Sequence, residues 1–216
     1  MLVGERMKQP VITIRPDVPV QDALNLMRKE HVRRFPVLDG HGKLVGLVTE
    51  KDLLNAQPSE ATTLSVWEIS YLLSKITVER VMSRKLITVT KDTPLEEAAR
   101  IMADSKVGCL PVMQGDDLVG IITETDLFRV FLELLGAREA GVRVTAALIN
   151  QPGKLMDLVG VIYKLGGNII SLGTFSGDSP QIGIVTVKVS NVSLETIRAA
   201  ITPIVQEIVD IREMSV

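Results

Sequence analysis

Aromatic residues are scarce in this sequence of 216 residues, where Phe, Trp and Tyr together make up 3%. No run of basic residues is present either, and the formal net charge is -2. Proteins that bind nucleic acids use basic surfaces to attract phosphates and aromatic rings to stack on bases. The composition therefore argues against a nucleic-acid partner.

Cysteine and histidine are also rare, with one cysteine, Cys109, and two histidines, His31 and His41. A single cysteine excludes an internal disulfide and favours a reducing compartment. No His/Cys cluster has metal-ligand spacing, no glycine-rich phosphate loop occurs, and no Ser–His–Asp set is apparent. We therefore predict neither a catalytic residue nor a metal site, and we expect Cys109 to be a small buried residue.

Long apolar segments are missing too. No run of about 18 apolar residues exists for a membrane span, and the amino-terminal "MLVGERMKQP" is too polar for a signal peptide. We expect a cytoplasmic protein with no membrane partner. Hydrophobic residues still make up 46% of the sequence, so Val, Ile, Leu and Met are available to build packed cores.

What the sequence does contain is an internal repeat. "VITIRPDVPVQDALNLMRKEHVRRFPVLD" (11–39) aligns with "LITVTKDTPLEEAARIMADSKVGCLPVMQ" (86–114) at a spacing of 75 residues. Beyond a turn, "GLVTEKDLL" (46–54) aligns with "GIITETDLF" (120–128) at a spacing of 74 residues. The difference of one residue falls in the turn, where a change in length costs least. The repeat is a duplicated half of a domain.

Each repeat predicts the element order β-α-β-β-α. In the first repeat, "VITI" alternates as a strand, and the segment after Pro19 has its apolar residues on one helical face. "FPVLD" and "LVGLVT" predict a hairpin, and "EKDLL" opens a short helix. A unit of about 50 residues would struggle to bury a core alone, so we expect the two repeats to pack sheet to sheet.

Residues 59–79 join the two repeats, which we place at 1–58 and 80–136. "SVWEISYLLSKI" (65–76) predicts a helix whose apolar stripe covers one side of the pair. Residues 141–216 have a different order, β-α-β-β-α-β, which is the ferredoxin-like pattern. The predicted fold class is therefore α+β, with a tandem pair of repeats followed by a ferredoxin-like domain.

The strand "FPVLD", a glycine-containing turn and "LVGLVTEKDLL" resemble a CBS domain, and the second copy completes a tandem CBS pair. The last domain, with "NQPGKL" after its first strand and "GGNI" after its first helix, resembles an ACT domain. Two CBS repeats followed by an ACT domain is the order of the acetoin utilization protein B family. The resemblance covers nearly the whole chain.

A CBS pair implies a regulatory protein that binds adenosine-containing nucleotides in clefts between its repeats. Asp52 and Asp126 each fall in the first turn of a helix after a strand, where a carboxylate can accept hydrogen bonds from both ribose hydroxyls. The threonine three residues earlier offers a hydroxyl, and the free N–H groups of the helix start favour an anion. A threonine of each first strand lines the same cleft in the family. The threonines assigned in this way are Thr13, Thr49, Thr88 and Thr123.

The Thr-x-x-Asp pattern has a second interpretation, because it is also close to a helix capping box. In a capping box the threonine caps the helix while the acid three residues later bonds back to the backbone. A single copy would indicate capping alone. Two copies behind the same hairpin favour a nucleotide site, and one carboxylate can serve in both roles.

The repeats differ just before their shared proline, where the first reads "HVRRF" and the second "KVGCL". Arg33 and Arg34 match family positions from which basic side chains reach phosphates, whereas their counterparts are Gly108 and Cys109. Neighbouring residues of a strand point to opposite faces, so we expect one arginine in the cleft and favour Arg34. The alternative for either arginine is a solvated surface charge. The difference predicts that the two sites need not bind the same ligand.

The ACT resemblance implies a small amino acid at the first strand–helix junction of the last domain, with Asn150, Gly153 and Leu155 as candidate residues. Gly153 permits close approach of the backbone, and the helix start suits a carboxylate. The alternative is a proline-containing helix start with a glycine for packing. Both modules resemble families that pair, so we expect a homodimer.

These features bear on three candidate functions. The favoured one is a sensor with no tightly bound cofactor, which binds AMP, ADP or ATP, with NAD and S-adenosylmethionine as further candidates, and acts on a protein partner. The family resemblance links it to acetoin utilization. An enzyme lacks candidate residues. A dimerisation scaffold with vestigial clefts is the remaining alternative, and the Thr and Asp present in both copies argue against it.

Overall fold

The structure is a computed structural model, and it describes residues 1–56 and 75–215. The chain forms two compact units, Met1–Leu127 and Phe128–Val216. Most of the helix predicted over 65–76 lies outside the described residues, so that prediction stands as it was made.

Both repeats have the predicted order of helices and hairpin strands, and they lie in the first unit except for the last helix of the second repeat, which continues beyond Leu127. The first repeat and the residues before it form α1 (Val3–Arg6), α2 (Val20–Lys29), β1 (Arg34–Leu38), β2 (Leu44–Thr49) and α3 (Glu50–Asn55). The second repeat and the residues before it form α4 (Val78–Val81), β3 (Val89–Thr90), α5 (Leu95–Ser105), β4 (Cys109–Gln114), β5 (Asp117–Thr123) and α6 (Glu124–Leu134).

The helix α2 packs on the hairpin β1–β2 through the face that the sequence predicts. Its buried residues recur three or four positions apart: Val20, Ala23, Leu24 and Met27. From the hairpin, Phe35, Val37 and Val48 are fully buried in the same cluster. Burying a side chain of this size contributes about 1.5–3 kcal/mol, so this small cluster is a major source of stability for the repeat.

The first strand of each repeat is shorter than predicted. Residues 11–14 contribute a single bridge, in which Ile14 pairs in parallel with Val37 of β1. The equivalent stretch of the second repeat forms only the two-residue strand β3. The prediction of a four-residue strand over 11–14 is therefore wrong. Pro10 and Pro16 flank this stretch, and proline offers no N–H to a strand ladder.

Each repeat is completed by the segment that precedes the first strand of the other repeat. Lys8, in front of the first strand of the first repeat, exchanges two backbone hydrogen bonds with Ile121 of β5, at 2.9 and 3.2 Å. Ser83, in front of the first strand of the second repeat, exchanges two with Leu47 of β2, at 2.8 and 3.0 Å. The repeat pattern does not predict this exchange, because an alignment shows which residues are equivalent and not which copy they join.

A methionine covers a glycine at each of these exchanges. Gly46 of β2 lies under Met82, and a Cβ on this glycine would overlap the methionine side chain. Gly120 of β5 lies under Met7 in the same way. Both methionines are buried. The two equivalent glycines therefore make room for the apolar side chain that follows each short helix.

The second unit is one antiparallel sheet with two helices, and the predicted order β-α-β-β-α-β is confirmed. Its elements are β6 (Gly141–Ile149), α7 (Lys154–Lys164), β7 (Asn168–Ser176), β8 (Ile182–Ser190), α8 (Leu194–Ile201) and β9 (Glu207–Met214). The strand order is β7-β8-β6-β9, and every neighbouring pair is antiparallel. Leu158 and Ile162 of α7 and Ile197 and Ile201 of α8 are fully buried in one cluster with valines of the sheet.

A buried lysine binds the backbone that follows α6. Lys188 of β8 is 3% exposed, and its Nζ donates a hydrogen bond to the carbonyl of Gly136 at 2.8 Å. The hydroxyl of Ser171 donates to the carbonyl of Leu135 at 3.2 Å. A helix end leaves its last carbonyls without partners in the helix, and a cation suits their negative charge. These two side chains therefore stabilise this helix end.

We expect Gly46→Ala to lower the free energy of unfolding by about 1–3 kcal/mol, the usual effect of adding a methyl group to a packed core. The reason is the overlap with Met82. Urea denaturation followed by circular dichroism measures the change. Gly40→Ala is the matched control, because nothing lies within 4 Å of a Cβ at that position. Equal stability of the two variants would contradict the packing role of Gly46.

Candidate functional site

The first helix start lies where β2 runs into α3. Thr49 is the N-cap residue, and its Oγ1 accepts a hydrogen bond from the Asp52 N–H at 3.3 Å. In return, Asp52 Oδ2 accepts from the Thr49 N–H at 2.9 Å and from the Thr49 hydroxyl at 2.6 Å. Within residues 1–56 and 75–215, Asp52 Oδ1 has no hydrogen-bond partner. One oxygen of this carboxylate caps the helix, and the other is available.

The second helix start repeats this geometry where β5 runs into α6. Asp126 Oδ2 accepts from the Thr123 N–H at 3.0 Å and from the Thr123 hydroxyl at 2.6 Å. The Asp126 N–H points to Thr123 Oγ1 at 3.4 Å. Asp126 is buried, whereas Asp52 is half-buried. The capping interpretation of the Thr-x-x-Asp pattern is therefore confirmed in both repeats.

A cavity of about 240 Å³ opens beside the first capping box. The first repeat lines it with residues of β1, β2 and α3, including Thr49 and Asp52. The second repeat lines it with residues 106–109 and Pro111, and Ser83 and residues 85–87 complete the wall. The exchange of segments between the repeats explains this composition, since it places Ser83 next to β2.

Arg34 of β1 lies in the wall of this cavity and reaches the second repeat. Its Nη1 donates a hydrogen bond to the carbonyl of Gly108, and its Nη2 is 3.8 Å from Glu124 Oε2. Gly108 leaves room for this contact, because a Cβ there would lie 2.6 Å from Arg34 Nη2. Arg33 is exposed and is not part of the cavity wall. At this cavity the chain therefore presents Arg34 and not Arg33.

Cys109 lies in the wall of the same cavity and is 4% exposed, so the prediction of a buried cysteine is confirmed. Burial raises the pKa of its thiol, because the charged thiolate is poorly solvated there. The guanidinium of Arg34 acts in the opposite direction and lowers this pKa. A thiol in these surroundings is a poor nucleophile near neutral pH.

The two threonines of the first strands lie apart from this cavity. Thr13 lines a different cavity of about 560 Å³, together with Pro10 and Leu118. Thr88 is exposed and is absent from the wall of the first cavity, although its neighbour Ile87 belongs to it. The predicted nucleotide-binding residues that share the first cavity are Arg34, Thr49 and Asp52.

In the second unit, a cavity of about 420 Å³ opens at the junction of β6 and α7. Asn150 and Leu155 line it, and the Asn150 side-chain amide donates to the carbonyl of Pro180 at 3.0 Å. Gly153 is the N-cap residue of α7 with a φ of +91°, a conformation that favours glycine. Its neighbour Lys154 lines the cavity. The three predicted residues thus surround one helix start.

Two lysines of the first cavity, Lys85 and Lys106, are absent from the sequence-based set of site residues. Both are exposed, and neither forms an ion pair within the described part of the chain. The sequence carries a signal for the stretch before Lys85, but none that places either lysine in a cavity. The stretch "VGERM" (3–7) matches "VERVM" (78–82) at the same spacing of 75 residues, so the repeat begins before its first strand.

Two general features of the described chain bear on the kind of site. Across residues 1–56 and 75–215, no group of three or more His, Cys, Asp or Glu side chains could hold a metal ion. None of the helices in those ranges is long and apolar enough to cross a membrane.

Residues 3–59 and 78–133 match the family model of the CBS domain. The matched residues make up more than half of the chain, so this protein belongs to the CBS domain family. Each matched stretch begins before the first strand of its repeat. It therefore includes the short helix and the segment that joins the sheet of the other repeat.

Curated relatives match about three fifths of the chain. L-aspartate semialdehyde sulfurtransferase from Methanocaldococcus jannaschii is 30% identical over 133 residues, which are 60% of this chain and 23% of that protein. A CBS domain-containing protein from Dictyostelium discoideum is 29% identical over 136 residues, which are 62% of this chain and 94% of that protein. The chain thus spans less than a quarter of the sulfurtransferase and nearly all of the second relative.

Three solved structures have a similar fold over a comparable share of the chain. The CBS domain pair of protein MJ0100, in complex with 5′-methylthioadenosine and S-adenosyl-L-methionine, has a TM-score of 0.52 and 28% identity, and the match covers 64% of this chain and 98% of that one. CBSX2 in complex with AMP has a TM-score of 0.52 and 31% identity, with coverages of 62% and 97%. A protein assigned to acetoin utilization (AcuB) from Vibrio cholerae has a TM-score of 0.53 and 33% identity, with coverages of 63% and 93%.

We expect Arg34→Met to raise the pKa of Cys109 further. The substitution removes the positive charge that favours the thiolate, while burial continues to favour the thiol. The rate of alkylation of this single cysteine, measured between pH 7 and pH 10, gives the midpoint (about 8.5 for an unperturbed cysteine). Arg28→Met is the control, because Arg28 is exposed and is not part of the cavity wall. A midpoint that stays in place or falls in Arg34→Met would contradict the proximity of the two groups.

Proposed function

We propose that this protein is a non-catalytic sensor that binds adenosine-containing ligands at its two capped helix starts. The first ligand lies in the cavity beside Thr49 and Asp52, and the second lies beside Thr123 and Asp126. The observation that carries this proposal is the state of the Asp52 carboxylate. Its Oδ2 is used by the capping box, whereas its Oδ1 has no partner within the described residues, and Asp52 lines the cavity.

The chemistry of the first cavity suits a nucleoside. An ionised carboxylate is a strong acceptor for the paired hydroxyls of a ribose, and the Thr49 hydroxyl lies beside it. Apolar residues such as Leu47 and Ile87 line the same cavity and suit a base. Arg34 supplies a cation for a phosphate. A volume of about 240 Å³ is below the range of about 300–1,000 Å³ typical of ligand pockets, so part of a nucleotide would extend into solvent.

Solved relatives support this choice of ligand. The CBS pair of MJ0100 holds 5′-methylthioadenosine and S-adenosyl-L-methionine, and CBSX2 holds AMP. These compounds share an adenosine and differ in the group at its 5′ position. We therefore assign adenosine as the common ligand part, with AMP, ADP, ATP, NAD and S-adenosylmethionine as the candidates for the whole molecule.

The output of the sensor passes to another protein, and the second unit serves as an ACT-type dimerisation module. Its sheet has two edge strands, β7 and β9, and pairing with a second copy would cover an open edge. The likeness to an assigned acetoin utilization protein favours a link to that pathway. The alternative is a dimerisation scaffold whose clefts no longer bind nucleotide. It gives the second unit the same role, but in it Asp52 and Asp126 serve only as helix caps.

We expect at least one adenosine compound to raise the melting temperature by about 5–10 °C when its concentration is 100 times its dissociation constant. Binding at that ratio stabilises the folded state by about 2.7 kcal/mol. Asp52→Asn and Asp126→Asn should each remove one of two binding sites. Asparagine keeps the size of the side chain but replaces an acceptor oxygen by a donor group. Thermal shift gives the stabilisation, and isothermal titration calorimetry counts the sites.

The control separates loss of a ligand contact from loss of a helix cap. Ser193 caps α8 in the second unit, where its hydroxyl accepts from the Thr196 N–H at 3.3 Å. Ser193→Ala should lower the melting temperature and leave the number of nucleotide sites at two. If none of the candidate adenosine compounds changes the melting temperature, the sensor is ruled out and the scaffold is favoured.

We also propose that the cavity beside Asn150 and Leu155 binds a small amino acid. The start of α7 offers free N–H groups to a carboxylate, and Lys154 adds a positive charge beside the cavity. Apolar residues of the sheet, including Ile184 and Val185, also line the cavity and suit an aliphatic side chain.

We expect one of the twenty amino acids, tested singly by thermal shift, to stabilise the protein, and Asn150→Ala to weaken that effect. The substitution removes the hydrogen bond to Pro180 that holds the rim of the cavity. Asn168→Ala, an exposed asparagine at the start of β7, is the matched control. Equal thermal shifts of both variants, or no thermal shift of the parent protein with any amino acid, would contradict amino-acid binding. Dimerisation would then be the one role proposed for the second unit.

A further inference from the structure

The guanidinium of Arg34 is held by groups of the other repeat. Gly108 contributes its carbonyl, and Glu124 contributes a carboxylate whose Oε2 lies 3.8 Å from Arg34 Nη2. The same carbonyl of Gly108 accepts the Glu124 N–H at 3.1 Å. Glu124 is the first residue of α6 and follows Thr123 of the second capping box. Arg34 therefore connects the wall of the first cavity to the start of the second site.

Positions 34 and 109 are equivalent in the two repeats, and both lie in the wall of the first cavity. The capping boxes and the exchanged segments obey the same internal two-fold relation. The two-fold relation exchanges the two clefts, and it also exchanges positions 34 and 109. Because both positions line the first cleft, both must also line the second. Arg34 thus belongs to both clefts, and its equivalent Cys109 brings no charge. The same relation places Arg33, the equivalent of Gly108, at the second cleft alone.

The other cations of the first cavity are not shared in this way. Lys85 is equivalent to Pro10, and Lys106 is equivalent to His31. Neither of those equivalents lies in the wall of the first cavity. The two lysines therefore belong to one cleft, whereas the guanidinium of Arg34 stands between the two.

We infer that Arg34 couples the two adenosine sites, so that a phosphorylated ligand in one site weakens the binding of a second phosphorylated ligand in the other. This inference rests on the proposed nucleotide function. One guanidinium cannot pair with a phosphate in both clefts at once. A ligand without a phosphate does not pair with Arg34, so its two binding steps are independent. The charge of the ligand at its 5′ position thus determines whether binding at one site changes the affinity of the other.

The present partners of Arg34 are weak enough to be displaced. The side chain of Glu124 is 58% exposed and that of Arg34 is 25% exposed, and ion pairs at such sites are of small strength. A phosphate can accept two parallel hydrogen bonds from one guanidinium, which is a stronger arrangement. A phosphorylated ligand therefore competes successfully with Glu124 for this cation.

Isothermal titration calorimetry with AMP and with adenosine tests the coupling. In the parent protein, the second AMP should bind at least about fivefold more weakly than the first, which is the lower end of usual coupling between sites. After correction for the statistical factor of two equal sites, the two adenosine steps should be equal in strength to within about twofold, since no coupling operates. In Arg34→Met the AMP steps should also become equal, whereas Arg28→Met should behave as the parent protein.

The single-site variants exclude a simple difference between the two sites. With coupling, Asp52→Asn and Asp126→Asn each bind their one AMP more strongly than the parent protein binds its second AMP, even if the two sites differ in strength. With two unlike and independent sites, the weaker variant binds AMP with the affinity of the parent's second step, which would overturn the coupling. AMP steps that stay unequal in Arg34→Met, or adenosine steps that are as unequal as those of AMP, would also overturn it.

The titration keeps the coupling distinct from the proposed function. Failure of both adenosine and AMP to bind would overturn the nucleotide function itself, and the coupling with it. Two equal AMP steps in the parent protein would overturn the coupling alone.

As a second readout that keeps the arginine, Glu124→Gln removes the competing carboxylate. It should strengthen the first AMP step by about two- to fivefold, the strength of one exposed ion pair, and leave adenosine unchanged. An unchanged first AMP step in this variant would count against the displacement of Glu124.

Discussion

The exchange of segments between the two CBS repeats is the constraint on which the rest of the first unit depends. Lys8 pairs with Ile121 and Ser83 pairs with Leu47, so each sheet is completed by chain that belongs in sequence to the other repeat. This pairing brings the stretch after Ser83 to the first capping box, where it forms part of the cavity wall. A single repeat would present an open surface at this point. The cavity therefore exists because the repeat is duplicated.

Features that depend on neighbouring residues in the sequence were predictable, and features that depend on distant pairing were not. The buried face of α2 and the two hairpins follow from local apolar patterns, and so does the element order of the second unit. The short first strands do not, because an alternating stretch such as 11–14 does not reveal how many partners it finds. Lys85 was missed for the same reason, since its place in the cavity wall depends on the pairing of Ser83.

The candidate site also combines features that were predictable from local sequence with features that were not. The Thr-x-x-Asp pattern predicted the position of each carboxylate, but it could not decide between a cap and a ligand site. The geometry shows how both roles fit one side chain, because the bonds of the cap to the Asp52 carboxylate all use a single oxygen. Strand alternation predicted that one of the two arginines faces the cleft. The partners of Arg34, the carbonyl of Gly108 and the carboxylate of Glu124, depend on the packing of the repeats.

The dual use of Asp52 has a consequence for how this family can change over time. Helix α3 needs the Thr49–Asp52 pair in order to begin at Glu50, whether or not a ligand is present. A descendant that no longer binds nucleotide would still be selected to keep both residues, because their loss would weaken the fold. Drift would instead act first on residues that serve the ligand alone. Retention of this motif in a sequence therefore reports a working helix start and is by itself no measure of ligand binding.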